Sequence, residues 1–107
     1  MEIRERHEDG VTILDLEGQL TLGDPTRMLK REVDRLVELG VRRVVLDLEG
    51  VPYIDSSGLG EIVRSHTTLM RRGGELRITN MNEKVHKLFA LTRIALPGVE
   101  FPGDFAD

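Results

Sequence analysis

Between residues 44 and 48 the chain reads Val-Val-Leu-Asp-Leu, an almost unbroken apolar run with helical patterns on both sides. A strand with one wet face alternates polar and apolar residues, so a continuous run predicts a central strand covered on both faces. Ahead of it, Leu29, Val33, Leu36 and Val37 fall at i, i+4, i+7 and i+8, one apolar stripe of a helix. After it, Leu59, Ile62, Val63, His66 and Met70 share a second helical face. Helix, buried strand and helix in succession call for parallel strand neighbours, and that constrains the chain to an α/β fold.

Local signals supply the remaining elements. A strand from Ile3 to about Glu8 meets Asp9-Gly10, a pair that accepts positive φ and closes a two-residue hairpin. Val11-Thr12-Ile13-Leu14-Asp15-Leu16 returns against it, and Gly18 ends that strand. Asp24-Pro25 predicts the first helix start, with Asp24 as cap and Pro25 where its missing N–H costs nothing. Gly40 stops that helix. The second helix begins at Asp55-Ser56-Ser57-Gly58 and ends at Gly73-Gly74, with Arg71 and Arg72 in the last turn, where the dipole favours cations. Leu76-Arg77-Ile78 reads as a short strand, and Asn82 as the cap of a third helix with Val85, Leu88 and Phe89 inward. Val99-Glu100-Phe101, set among prolines and glycines, reads as a short edge strand. The order is ββαβαβα with an optional final strand, one domain over residues 1–107 around a mixed sheet.

Composition removes several function classes. With no cysteine there are no disulfides, thiolate nucleophiles or cysteine zinc sites. Fifteen basic against 19 acidic residues give a net charge of −4, which argues against a basic face for nucleic-acid phosphates. No tryptophan, one tyrosine and three phenylalanines argue against a base-stacking platform. No apolar run is long enough for a membrane span, and MEIRERHEDG lacks the apolar centre of a secretory leader. The expectation is a cytoplasmic domain without membrane or direct nucleic-acid contacts. His7, His66 and His86 lie in separate elements with no His-x-x-x-His pair, so no metal site and no cofactor are expected.

The stretch that can carry chemistry is Val44 to Gly60, VVLDLEGVPYIDSSGLG. A buried strand leads through a loop into a Ser-Ser-Gly turn at a helix start, where unpaired backbone N–H groups and the dipole gather positive potential. Such a place stabilises an anion, phosphate included. Ser56 and Ser57 offer two hydroxyls there, and Gly58 removes a side chain that would crowd an approaching group. One serine is expected to cap the helix, which leaves the other with no packing reason to be a hydroxyl. A Ser-His-Asp hydrolase is disfavoured: G-x-S-x-G is absent, and adjacent Asp and Ser cannot take up the relayed geometry of a triad.

These residues resemble the signature of STAS domains, specifically the bacterial anti-sigma factor antagonists. The family pattern is an apolar strand with an Asp or Asn, a short loop, and D-S-[ST]-G-L-G opening a helix. Here it reads Val45-Leu46-Asp47-Leu48, then Asp55-Ser56-Ser57-Gly58-Leu59-Gly60. Gly18-Gln19-Leu20, Gly73-Gly74-Glu75-Leu76 and Val85-His86-Lys87-Leu88-Phe89 extend the similarity over nearly the whole chain. The resemblance implies a mixed sheet of four to five strands with helices packed mainly on one face. It also implies phosphorylation of Ser56 by an anti-sigma factor serine kinase with a histidine-kinase-like ATPase fold. The unphosphorylated form would bind that kinase and free a sigma factor, phosphorylation would block binding, and a PP2C-type phosphatase would restore it. Tyr53, Asp55, Ser56, Ser57, Gly58, Leu59 and Gly60 would form the switch and partner-binding loop of a monomer or weak dimer that is not an enzyme. Other roles of such domains are a scaffold in a stress-sensing or transport-associated complex and a nucleotide-sensing module. Family members often carry an acidic or histidine-containing segment after G-x-L, where this chain has Thr21-Leu22-Gly23, and many have a further helix in place of the terminal PGDFAD.

Outside the motif, His66 reads as a partly buried histidine with a local hydrogen bond, and Asp47 as a strand-end hydrogen-bonding residue. Glu32, Asp34, Arg35 and Glu38 read first as a solvated helix face, with part of a partner surface as the alternative, and Arg42-Arg43 as complements to the end of the first helix. Tyr53 and Ile54 fit either the core or an exposed contact.

Overall fold

The computed structural model describes residues 1–92. They form β1 (Glu2–Glu8), β2 (Val11–Glu17), α1 (Asp24–Glu38), β3 (Arg43–Gly50), α2 (Ser56–Arg71), β4 (Glu75–Thr79) and α3 (Glu83–Thr92). The four strands lie in chain order in one sheet, β1 antiparallel to β2 and the β2–β3 and β3–β4 pairs parallel. Asp9 and Gly10 have φ of 51° and 79°, so the turn between β1 and β2 twists with the strands it joins, as Asp-Gly predicts. The strand expected at Val99-Glu100-Phe101 lies outside the described residues.

The sheet has one apolar face and one charged face. Leu14, Leu16, Val44, Leu46, Leu48, Leu76 and Ile78 alternate along β2, β3 and β4. They are buried with Leu29, Val33, Leu36 and Val37 of α1, Leu59, Ile62 and Leu69 of α2, and Val85 and Phe89 of α3. The opposite face carries Arg4 and Arg6 of β1, Asp15 of β2, Asp47 and Glu49 of β3, and Glu75 and Arg77 of β4. Among the described residues, helices therefore cover the central strand on one face only, as the family resemblance implies and as its apolar composition alone leaves open. Val45, on the charged face, is half-buried between its register partners Ile13 and Arg77. Asp47 is buried there through hydrogen bonds: its carboxylate accepts from the Glu49 amide at 3.0 Å and from Asn80 Nδ2 at 3.1 Å. Arg6 ties this layer together, bonding Asp15 at 2.7 Å and reaching Asp47 at 3.5 Å. Charged side chains laid across the sheet thus shield an apolar residue that a strand with one wet face would not ordinarily carry.

Some local details differ from the sequence reading. Asp24 does not cap α1: it is the first helical residue, the cap position is Gly23 (φ 108°), and no side chain caps that end. Pro25 does sit in the first turn, where no N–H is needed. On α2 the buried line is Leu59, Ile62, His66 and Leu69, whereas Met70 is 44% exposed. A helix advances about 100° per residue, so Met70 is carried off that line to the solvent side. A further difference, the cap of α2, belongs to the site.

Candidate functional site

The turn into α2 is built from two segments far apart in sequence. Leu20 pairs with Ile54 as an isolated parallel bridge, the Leu20 amide donates to the Tyr53 carbonyl at 3.0 Å, and the Asp55 amide donates to the Leu20 carbonyl at 3.3 Å. Leu20 and Ile54 are both buried, so the bridge is anchored in the core. Tyr53 points outward, 45% exposed, which separates the roles of these two neighbours.

Asp55 caps α2, and neither serine does. One carboxylate oxygen accepts from the Gly58 amide at 2.8 Å, and the other from the Leu22 amide at 3.0 Å. These bonds, Leu22 first and Gly58 second, hold the Asp55 carboxyl below the usual carboxylate range. Replacing Asp55 by alanine removes both, and is expected to cost about 1–2 kcal/mol at neutral pH, as for other helix caps. The sign follows from linkage: the depressed folded value makes this contribution full above the unfolded carboxylate value and lost as pH falls through the folded one. Urea titrations of parent and Asp55→Ala should therefore converge toward acid. A constant gap down to about pH 2 would refute the charge's part in it.

With Asp55 capping, both serine hydroxyls are released from that task. Ser56 is the first residue of α2 and exposed, and Ser57 is half-buried. Gly58 and Leu59 are buried and Gly60 is exposed. Gly58 faces the Leu20 segment so closely that an added Cβ would overlap the Leu20 carbonyl oxygen and lie 2.9 Å from Ile54 Cγ2. The glycine thus serves packing between two loops, and the open approach to Ser56 comes from its position at the surface.

Beside Ser56 runs a groove of about 320 Å³. Tyr53, Ile54, Asp55 and Ser56 line one side, and Lys84, Val85, Lys87 and Leu88 of α3 line the other. Asn82 fixes the spacing. Its side-chain oxygen caps α3 by accepting from the Val85 amide at 2.7 Å, while its Nδ2 lies 3.3 Å from the carbonyls of both Val51 and Pro52. Leu22, 76% exposed, stands at the other flank of the turn. Leu22, Lys84 and Lys87 are neighbours of the site that the sequence motif does not include. The contact that brings Leu22 in spans 33 positions, and no local pattern signals it.

Other candidates fall into structural roles. Arg42 donates to the Val37 and Val41 carbonyls at 3.3 and 3.0 Å, complementing the end of α1. Among the described residues no cluster of His, Cys, Asp or Glu could hold a metal ion, and no helix is long and apolar enough to cross a membrane. His66 is 5% exposed, and its buried Nδ1 has no hydrogen-bond partner, contrary to the expected local bond. Burial lowers its pKa. Below about pH 6.5 the unfolded chain then binds more protons than the folded one, so stability is lost as pH falls through that range. His66→Leu is expected to flatten the stability curve below about pH 6.5. Unchanged slopes in denaturant titrations across that window would show that the imidazole is not the group responsible.

A mixed sheet with helices on one face, and a strand–loop–helix turn that presents an exposed serine, define a class of small α/β domain. The STAS domain family model matches residues 2–96, and the chain belongs to that family. It is similar to the anti-sigma F factor antagonist of Paenibacillus polymyxa, 29% identical over 93 residues, which cover 86% of this chain and 79% of the relative. Its fold is that of the anti-sigma factor antagonist SpoIIAA in its unphosphorylated form, with a TM-score of 0.69 at 17% identity, covering 84% of this chain and 83% of that one. The phosphorylated form of the Bacillus cell fate determinant SpoIIAA superposes with a TM-score of 0.71 at 16% identity, covering 92% of this chain and 89% of that one.

Proposed function

We propose that this chain is an anti-sigma factor antagonist whose binding is switched by phosphorylation of Ser56. Unphosphorylated, it binds an anti-sigma factor serine kinase of histidine-kinase-like ATPase fold and so releases a sigma factor in the cytoplasm. Phosphorylated, it does not bind, and a PP2C-type phosphatase resets it. The domain performs no chemistry of its own; Ser56 is a substrate.

The observation that carries this reading is the exposed Ser56 at the first position of α2, beside a cap supplied by another residue. A kinase can reach the hydroxyl without unfolding the domain, and modification breaks no capping bond. A phosphoserine adds about −1.5 to −2 charges at neutral pH. Backbone N–H groups and the helix dipole at this end stabilise that charge within the domain. A partner seated over Tyr53, Ser56 and Gly60 would instead have to desolvate it next to Asp55, and like-charge juxtaposition at an interface costs several kcal/mol.

The test is affinity capture with the parent chain, Ser56→Ala and Ser56→Asp as baits, read by mass spectrometry. An ATPase-fold kinase is expected with the parent and with Ser56→Ala, and at least about tenfold less with Ser56→Asp, the equivalent of about 1.4 kcal/mol. In a kinase assay with ATP, Ser56→Ala should take up no phosphate. Equal recovery of the kinase on all three baits, or phosphate on Ser56→Ala at the parent rate, defeats the reading.

A further inference from the structure

The groove beside Ser56 carries cations on one wall. The chain carries a net charge of −4, yet the α3 wall of this groove presents Lys84 and Lys87. Both are exposed. Lys84 makes no ion pair among the described residues, and Lys87 has only Glu83, at 3.8 Å. The acid on the opposite wall, Asp55, already accepts two backbone N–H groups. Between the lysines and the loop the lining is apolar: Ile54, Val85 and Leu88, with Tyr53 at the edge. Two under-neutralised cations on an apolar floor match an acidic segment with one apolar face.

We infer that Lys84 and Lys87 form a phosphate-receiving pair for Ser56, and that the same two charges serve an acidic, apolar-faced segment of the partner when Ser56 is unmodified. This rests on the proposed phosphorylation of Ser56. Phosphorylation then acts as internal competition as well as repulsion. The dianion on Ser56, which shares the groove with both lysines, draws their ammonium groups onto its oxygens by charge-assisted hydrogen bonds. The partner's carboxylates lose their counter-charges and meet a filled groove mouth. Lysine suits this exchange, because its ammonium is a point charge on a flexible stem and can serve two acceptors in turn.

Two measurements test this, and they fail separately. The chain with phosphoserine installed at position 56 is titrated by 31P NMR, alongside the Lys84→Gln/Lys87→Gln variant and an Arg71→Gln control. The lysines favour the dianion, so removing them is expected to raise the second phosphate pKa by about half a unit. The control should leave it in place. An unchanged value in the double variant overturns the inference while leaving Ser56 free to act by repulsion alone. The second measurement is binding of unphosphorylated chains to the kinase recovered by affinity capture. Lys84→Glu/Lys87→Glu is expected to weaken binding at least about tenfold, with a reduced salt dependence, and Lys30→Glu/Arg31→Glu on α1 by less than about twofold. Parent-like binding of the groove variant overturns the inference even where Ser56→Asp abolishes binding. If Ser56→Asp also binds fully, the phosphorylation reading itself has failed.

Discussion

Gly58→Ala is expected to lower the unfolding free energy by about 3 kcal/mol or more, read as a shifted midpoint in urea. The methyl group would land on the Leu20 carbonyl oxygen and 3.0 Å from its carbon, with Ile54 Cγ2 behind it at 2.9 Å. None of these is the free end of a flexible side chain. Relief must come from moving the Leu20 backbone, which breaks the Asp55-to-Leu20 and Leu20-to-Tyr53 hydrogen bonds, or from moving the first turn of α2. Gly60→Ala is the matched control. It lies two positions on in the same helix with nothing within 4 Å of its Cβ, so alanine there should gain about 0.5–1 kcal/mol through helix propensity. A loss at Gly58 smaller than about 1 kcal/mol would mean that the Leu20 segment yields easily, and that the turn holding Ser56 is softer than its hydrogen bonds imply.

The fold is legible in the sequence where periodicity and turn chemistry agree. Asp9-Gly10 marks the hairpin, and the stripe at Leu29, Val33, Leu36 and Val37 is buried in full. The apolar run at 44–48 marks the central strand but does not say what covers its second face, which hydrogen-bonded Asp47 and salt-bridged Arg6 screen among the described residues. Caps are harder. Asp24 and Asp55 both stand next to a helix start, and only backbone conformation separates them: Asp55 is extended and can turn its carboxylate onto Gly58, whereas Asp24 is already helical. For the site, the motif locates Ser56, but Leu22, Lys84 and Lys87 reach it through tertiary contacts that no window of sequence contains.

A buried carboxylate that no sequence motif announces carries the second large effect. The side chain of Glu61 is 9% exposed on α2. It accepts from Arg64 Nε at 2.9 and 3.1 Å and from the fully buried Ser65 hydroxyl at 2.9 Å. Arg64 extends from there to Asp34 at 3.1 Å and so ties α2 to α1. Glu61→Ala takes the acceptor from Ser65 and one of the two counter-charges from Arg64. Removing one partner of a buried pair costs about 3–5 kcal/mol, and with Arg64 about one-third exposed the lower end, about 3, is expected here. Glu61→Leu combined with Arg64→Met removes both charges and keeps apolar volume, so it should recover most of that loss. The hydroxyl of Ser65 can then turn to a carbonyl one helical turn back. Denaturation of the two variants decides the matter: equal losses would show that packing, and not an abandoned charge, sets the cost. Because Glu61 and Ser65 lie on the buried face while Ser56 stands exposed at the start of the helix, folded molecules of either variant should accept phosphate at the parent rate. A kinase assay below the melting range then separates what holds α2 in place from what α2 presents.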